Sequence, residues 1–297
     1  MDKLRRSMLF MPGNNPGMLQ DAAILGADSI ILDLEDAVSL TEKDSARILV
    51  RDAIKTIDYS QVEVVVRVNP LDTEFGSQDV DVIARVKPDT LLIPKADEEE
   101  IKLVDNMLNK IEEEEGYFAG SIKIIALIET AIGLETVYDV IKASKRVVGG
   151  LLGGEDLTSD LGVKRTKEGE EIFYARNKVA TACRALKVDS IDTPFTDTND
   201  YEGLAKDTAK AKNLGLTGKS SINPRQIEII HSVFAPTAAE LKHALRVLDA
   251  MKEAEKEGKG VYSLDGKMID APVIKRATLT VEQGVKLGLI RDEGGAK

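Results

Sequence analysis

The segment KIIALIE, residues 123–129, is a run of apolar residues that begins after a lysine and ends at a glutamate. A continuous apolar run without polar alternation is typical of a strand buried on both faces, as in a parallel sheet. Seven further segments are predicted to be strands, and most of them are near-continuous apolar runs of the same kind: SMLFM (7–11), SIILDL (29–34), VEVVVRV (62–68), TLLIPK (90–95), VVGGLL (147–152), DSIDTPF (189–195) and the weaker LTGKSSI (216–222).

Amphipathic stretches such as TEKDSARILVRDAIKTI (41–57) and EEEIKLVDNMLNKIEEEE (98–115) separate these segments and predict helices. Eight strand–helix units within residues 1–235 favour an α/β fold of the (β/α)8 type, a TIM barrel, which typically takes about 250 residues. A doubly wound open sheet is the alternative. It often carries a GxGxxG turn, and the sequence has none.

The pattern changes in residues 236–297. The stretch TAAELKHALRVLDAMKEAEKEGKG (237–260) spaces Leu241, Leu245, Leu248 and Met251 as in a helix, and Gly258 is predicted to end it. A short strand-like or loop piece and a last helix are expected to follow. We interpret this segment as a C-terminal helical extension that packs on the barrel or on a neighbouring subunit.

The composition excludes several classes of protein. With 51 acidic and 40 basic residues, the net charge is −11, which argues against a nucleic-acid-binding surface. The single Cys183 cannot form an internal disulfide, which favours a reducing cytoplasm. The apolar run near the N-terminus is too short for a signal peptide, and no later segment is long enough to span a bilayer, so no membrane partner is expected.

Polar residues stand at the carboxyl ends of several predicted strands. In a barrel of this kind, these ends form the active-site face. Glu129 ends the run 124–128, and Asp156 stands in the same relation to the run at 147–152. Two partly desolvated carboxylates without a nearby His or Cys favour a hard cation, Mg²⁺ or alternatively Mn²⁺. The alternative is that each acid caps the helix that follows it.

Arg67 ends the run VEVVVRV and is costly to bury without a partner. A substrate carboxylate, or Glu35 or Asp36 of the DLED cluster (33–36), can offset that cost through a bidentate pair. We expect Glu35 or Asp36 to orient metal-bound waters or to pair with the cation. A purely internal pair that stiffens the barrel is the alternative.

Other polar residues are interpreted as structural. His231 and His243 fall in late helices, so proton transfer at the predicted site requires a carboxylate, a lysine, a tyrosine or water. Cys183 lies at helical spacing with apolar residues and is predicted to be core. The EEEE run (112–115) is predicted to be a solvated helix end. Lys95 at the end of LLIPK leaves a Schiff-base aldolase as a remote alternative.

Eight motifs together give the chain its resemblance to a known family. They are RRSMLFMPGNNPGM (5–18), LDLEDAV (32–38), VRVN (66–69), LIPKAD (92–97), IALIET (125–130), GGEDLTSDLG (153–162), GKSSINPRQI (218–227) and VYSLDGKMIDAPVIKRA (261–277). In this order they resemble the β subunits of citrate lyases, the citryl-ACP lyases. That group lies within the malyl-CoA/citramalyl-CoA lyase and HpcH/HpaI aldolase-type superfamily.

The resemblance implies a Mg²⁺-dependent carbon–carbon lyase that cleaves a citryl thioester to oxaloacetate and an acetyl thioester. It implies that Glu129 and Asp156 bind the metal and that Arg67 and Glu129 contact the substrate. It also implies that Asp270 matches an acid that some relatives insert into a neighbouring subunit's active site, in trimers or larger homo-oligomers. From the residues alone, Asp270 is a loop or helix-cap residue.

The same resemblance implies two partners, an acyl carrier subunit and an acyl-transferase subunit. Arg6 and the segment GKSSINPRQ (218–226) are the residues proposed to bind the thioester. Two alternatives remain open at this stage. One is a stand-alone lyase for malyl-CoA, citramalyl-CoA or citryl-CoA, and the other is a non-catalytic assembly subunit.

Overall fold

The structure, a computed structural model, describes residues 3–256, 262–265 and 267–291. The chain divides into two compact units, the first ending at Phe234 and the second beginning at Ala235. This division lies close to the boundary between residues 235 and 236 that the sequence predicts. The roles assigned to the two segments stay predictions.

The first unit contains a closed barrel of eight parallel strands in chain order, which confirms the predicted (β/α)8 fold. Every predicted strand is present, with ends within three residues of the predicted ones. The strands are β1 Ser7–Pro12, β2 Ser29–Asp33, β3 Glu63–Arg67, β4 Thr90–Ile93, β5 Lys123–Ile128, β6 Val147–Leu152, β7 Asp189–Asp192 and β8 Gly218–Ser221.

Helices connect the strands, and the two helices predicted from the amphipathic stretches are α2 and α4. The α-helices of the first unit are α1 Pro16–Asp21, α2 Lys43–Thr56, α3 Gly76–Ala84, α4 Glu98–Glu115, α5 Ala131–Glu135, α6 Val137–Lys142, α7 Gly154–Asp160, α8 Phe173–Leu186, α9 Tyr201–Asn213 and α10 Ile227–Phe234.

Alternate residues of each strand belong to two separate cores. One core contains only strand residues, such as Met8, Val65 and Leu151, and therefore fills the barrel interior. The other combines the intervening strand residues with helix residues such as Val104 and Val179, and so lies between the sheet and the helices. Both strand faces are buried, which explains why most of the strands are near-continuous apolar runs in the sequence. The exceptions are β7 (DSID) and β8 (GKSS).

The second unit contains two long helices and a two-stranded antiparallel sheet, as the sequence predicts in outline. Its elements are α11 Ala238–Lys256, β9 Tyr262–Leu264, β10 Lys267–Ile269 and α12 Ala271–Lys286. Ala244, Val247, Ile269 and Ala277 form a core of its own. The helix stop predicted at Gly258 lies outside the described residues. Over the described parts of both units, no helix is long and apolar enough to cross a bilayer.

The predicted solvation of the EEEE run is wrong for its first residue. Glu112 is only 1% exposed, and its carboxylate pairs with Arg146 through two nitrogens at 2.6 and 2.8 Å. The backbone N–H groups of Gly120 and Ile122 also donate to it. Burial alone would raise the pKa of Glu112, but these hydrogen bonds outweigh it and lower the pKa to about 2.

We predict that Glu112→Gln lowers the free energy of unfolding by about 3 kcal/mol at pH 7, because Arg146 then loses its buried countercharge. A lowered carboxyl pKa stabilises the fold above the unfolded-state pKa of about 4.3. This contribution disappears as the pH falls towards 2, so the gap between mutant and wild type should close over that window. Urea unfolding at pH 7, 4 and 3 measures this, with the exposed neighbour variant Glu113→Gln as control. A pH-independent gap would contradict the assignment.

Candidate active site

A cavity of about 360 Å³ opens where the strands of the barrel end. Its wall is built from residues at or near the carboxyl ends of different strands: Phe10, Asp33, Arg67, Leu127, Glu129, Leu151, Gly153, Thr193 and Ile222. This is the face on which barrel enzymes carry their active sites. The predicted convergence of polar strand ends is therefore present in the structure.

Arg67 is held by an acid that sequence reasoning did not assign to it. Nε of Arg67 donates to Asp33 Oδ1 at 2.7 Å, and Nη2 donates to Asp33 Oδ2 at 2.6 Å. Asp33 and Arg67 occupy paired positions at the ends of β2 and β3. The parallel register therefore creates this bidentate pair, and both side chains are buried.

The remaining nitrogen of the guanidinium, Nη1, contacts the acids that were predicted. It lies 2.8 Å from Glu35 Oε2 and 3.4 Å from Asp36 Oδ2. The guanidinium carbon also stacks 5.1 Å from the ring centre of Phe10. Burial alone would lower the pKa of Arg67, but the surrounding carboxylates hold it above its ordinary value. The internal pair considered from the sequence is thus present, inside the wall of the cavity.

A buried ammonium group fixes the loop that carries these acids. Lys43 Nζ donates to the backbone carbonyls of Leu34 and Glu35 at 2.9 and 2.6 Å. Asn69 Nδ2 donates to the same Leu34 carbonyl at 2.9 Å. The polar backbone of the loop is thereby satisfied and its position is fixed. Burial raises the pKa of Glu35 to about 7, against the opposing charge of Arg67.

Glu129 is 2% exposed and follows β5 directly. Its Oε1 accepts a hydrogen bond of 2.7 Å from the backbone N–H of Lys95. Lys95 adopts a left-handed φ of 47°, which is uncommon for a residue other than glycine. Burial raises the pKa of Glu129 to about 8, and the charges of Glu35 and Asp156 add to this effect. The carboxylate therefore favours a proton or a cation as its neighbour.

Asp156 differs from the prediction in its surroundings. It is exposed and lies in the first turn of α7, not at the end of a buried strand. The chain begins a helix at Gly154, directly after β6, so Glu155 and Asp156 project from helical positions. The capping alternative is also wrong: Gly153 is the N-cap of α7 and Thr130 is the N-cap of α5.

The donor set fits a hard divalent cation. Glu129 and Asp156 both line the cavity, and the charge of Asp156 raises the pKa of Glu129, so the two acids are close enough to repel. Among the described residues, no group of three or more His, Cys, Asp or Glu side chains is arranged to hold a metal. Mg²⁺ commonly uses only one or two protein carboxylates, with water and substrate oxygens completing its octahedron.

Comparison with known proteins identifies the family of the chain. A model of the HpcH/HpaI aldolase/citrate lyase family matches residues 6–224. The chain belongs to this family. The citrate lyase subunit beta of Haemophilus influenzae is 46% identical over 98% of this chain and 100% of its own length.

Two solved structures from Mycobacterium tuberculosis are similar to this member of the HpcH/HpaI aldolase/citrate lyase family. A CitE protein in complex with magnesium, acetoacetate and coenzyme A is 28% identical, with a TM-score of 0.78 over 94% of this chain and 98% of that one. A citrate lyase beta subunit complexed with oxaloacetate and magnesium is 28% identical, with a TM-score of 0.66 over 78% and 98%.

The cavity gathers most of the residues predicted for an HpcH/HpaI family site. Arg67, Glu129, Asp156 and Asp36 line it, and Glu35 contacts Arg67 from beside it. Asp270 belongs to the second unit. It is exposed and caps α12 by accepting a hydrogen bond from the Val273 N–H at 3.0 Å, as the residues alone predict.

Arg6 is not placed to bind a thioester at this cavity. It precedes β1 and therefore lies at the amino ends of the strands, on the opposite side of the barrel. Its guanidinium and backbone N–H are engaged by Asp28 at 2.7–2.8 Å. Of the segment 218–226, Ile222 lines the cavity.

The residues interpreted as structural are largely confirmed. His231 and His243 lie in α10 and α11. Cys183 is fully buried in the sheet–helix core, and burial raises its pKa to about 12. The side chain of Lys95 is exposed and is not among the residues that line the cavity, which disfavours a Schiff-base site.

We predict that Asp33→Asn lowers the free energy of unfolding by roughly 3–5 kcal/mol, because Arg67 then loses its buried bidentate partner. The matched variant Asp36→Asn should change it by less than about 1 kcal/mol, because Asp36 is 62% exposed and only 3.4 Å from the guanidinium. Urea unfolding at pH 7 compares the two. Equal effects would show that Asp33 is not the main anchor of Arg67.

Proposed function

We propose that the chain is a Mg²⁺-dependent carbon–carbon lyase that cleaves a citryl thioester to oxaloacetate and an acetyl thioester, as the β subunit of a citrate lyase. The supporting observation is the convergence of Glu129, Asp156 and Arg67 on one cavity, in a chain 46% identical end to end to a citrate lyase subunit beta. The two carboxylates are suited to bind a metal ion, and the guanidinium of Arg67 is suited to bind an anionic substrate.

Glu129 and Asp156 would hold the ion, and Mn²⁺ is an alternative to Mg²⁺. When bound, the ion supplies Lewis acidity and a template for neighbouring oxygens. One oxygen of Glu129 is oriented by the Lys95 N–H, so its carboxylate is held in place before any ligand arrives. Burial raises the pKa of Glu129, and the charges of Glu35 and Asp156 raise it further, so a bound cation would stabilise the ionised carboxylate.

The reaction is a retro-aldol cleavage. The citryl hydroxyl loses its proton, the bond between its carbon and the thioester methylene carbon breaks, and the electron pair moves into the enolate of the acetyl thioester. The hydroxyl-bearing carbon becomes the keto carbon of oxaloacetate. Protonation of the enolate carbon completes the acetyl thioester. With both histidines in helices α10 and α11, carboxylates are the groups proposed to move these protons.

Arg67 is proposed to stabilise negative charge on a substrate carboxylate or on the thioester oxygen. Asp33 occupies its Nε and Nη2, which fixes the plane of the guanidinium. Nη1 is the nitrogen that can exchange Glu35 or Asp36 for a substrate oxygen. The contact between Nη1 and Glu35 Oε2 supports this role, because it is an ion pair without a hydrogen bond. Glu35 Oε2 is buried and makes no hydrogen bond to any described residue, although it lies near Nη1.

The partners proposed are an acyl carrier subunit that presents the citryl group and an acyl-transferase subunit that loads it. The complex is proposed to be cytoplasmic, with this chain present in it as a homo-oligomer. A stand-alone lyase for a CoA thioester is the second candidate. The similar CitE structure from M. tuberculosis, whose complex includes coenzyme A, favours that candidate. The two candidates share their chemistry and differ in the carrier of the thioester.

We predict oxaloacetate release from citryl thioester that requires Mg²⁺ and stops with EDTA. Glu129→Ala and Asp156→Ala should abolish it, and Arg67→Ala should reduce turnover by about 10²–10³-fold. A coupled malate dehydrogenase assay measures the rate on citryl-ACP and on citryl-CoA, and the faster carrier identifies the substrate. Full activity of the complex with both acid variants would instead favour a non-catalytic assembly subunit.

Asp270 is proposed to protonate the enolate carbon, within its own chain or in a neighbouring one. We predict that Asp270→Asn and Glu129→Gln chains are each inactive. Co-assembled in one oligomer, they should regain partial activity if Asp270 acts in trans, because some sites then combine intact groups from two chains. Absence of recovery would assign Asp270 to its own chain, and full activity of Asp270→Asn would exclude it as proton donor.

A further inference from the structure

Helix α7, which carries Asp156, lacks a side-chain cap from its own segment. Its N-cap is Gly153, which has no side chain to accept the first N–H groups. A hydroxyl from the residue that follows strand β7 takes that role: Thr193 Oγ1 accepts a hydrogen bond of 3.0 Å from the Gly154 N–H. The start of α7 is therefore fixed from outside the helix.

The first residues of α7 and its N-cap are closely packed against Thr193 on one side and Glu129 on the other. A Cβ added to Gly154 would lie 2.8 Å from Thr193 Oγ1 and 3.1 Å from its Cγ2. A Cβ added to Gly153 would lie 2.6 Å from Cβ and 2.7 Å from Oε2 of Glu129. The two glycines thus pack between Thr193 and Glu129, and they set how far the first turn of α7 lies from Glu129.

Thr193 is itself immobilised by a buried charge network. It is 0% exposed, and its carbonyl accepts a hydrogen bond of 2.8 Å from Lys219 Nζ. Lys219 pairs with Asp192 at 2.6 Å and with Asp207 at 2.7 Å. Arg176 pairs with the same two acids, and all four charged side chains are at most 3% exposed. Breaking such a network is costly, so Thr193 has a fixed position.

We propose that Thr193 is a positioning residue for Asp156. Its hydroxyl fixes the first turn of α7, and through Gly153 and Gly154 it sets the distance between the carboxylates of Asp156 and Glu129. The inference rests on the proposed function, because it treats these two acids as the metal ligands. Thr193 acts through the helix and contributes no ligand of its own.

The test is Mg²⁺ binding to the full chain, measured by isothermal titration calorimetry. Thr193→Val keeps the shape of the side chain and removes the acceptor, so the dissociation constant for Mg²⁺ should rise about tenfold, within the range seen for groups that orient metal ligands. Thr193→Ser keeps the hydroxyl and should bind within about twofold of wild type. Thr208→Val is the matched control, because Thr208 is also fully buried but donates to the Leu204 carbonyl of its own helix.

Thermal unfolding without Mg²⁺ separates positioning from stability. Thr193→Val and Thr208→Val should lose similar thermal stability, while only Thr193→Val loses Mg²⁺ affinity. Unchanged affinity in Thr193→Val, or an equal loss in Thr208→Val, overturns the proposal while the proposed function stands. If the wild-type chain binds no Mg²⁺, or if Asp156→Asn binds it as well as wild type, the proposed function fails and the inference fails with it.

A second pair of variants keeps the proposal testable if Thr193→Val does not fold. Gly154→Ala inserts a methyl group against Thr193 and should weaken Mg²⁺ binding several-fold. In a Thr193→Ala background, which removes Oγ1 and Cγ2, the same substitution should cost less. That coupling is the mark of direct contact. Additive effects of the two substitutions on the dissociation constant would contradict the proposed positioning path.

Discussion

The closed ring of parallel strands places every strand's carboxyl end on the same face of the barrel. The polar residues that line the cavity therefore meet where the strands end, above the apolar core of the barrel interior. The register of β2 with β3 pairs Asp33 with Arg67. The backbone hydrogen bonds between the strands therefore determine which side chains of the site are neighbours.

A concentration of negative charge is the second feature of this face. Asp33, Glu35, Asp36, Glu129 and Asp156 lie in or beside the cavity wall. The cations placed among the first three acids are Arg67, in the wall, and Lys43, behind the loop. Burial is the main cause of the raised pKa values of Glu35 and Glu129, and the neighbouring carboxylates raise them further. A divalent cation would offset this negative charge, which links the electrostatics of the chain to its proposed chemistry.

Rigid elements hold the acids in place. Backbone groups orient Glu129, a buried lysine fixes the loop after β2, and a threonine with two glycines sets the start of α7. Catalytic groups must stay close to their productive geometry, and elements supported by packed neighbours achieve this better than mobile loops. The buried quartet of Arg176, Asp192, Asp207 and Lys219 gives this support without lining the cavity itself.

The sequence by itself determined most of the eight strands, because burial on both faces favours near-continuous apolar runs that are visible in the sequence. Strand β8, with the sequence GKSS, is buried without such a run and was accordingly the weaker prediction. The sequence also determined which acids and which arginine end those runs. Only the tertiary structure decided the partners. Strand register pairs Asp33 with Arg67, and Glu112 pairs with Arg146, which is 34 residues away in the chain. The structure also places Asp156 in the first turn of a helix and not at the end of a strand. Contacts between distant segments depend on how strands align and where helices begin, and no local pattern of residues records either.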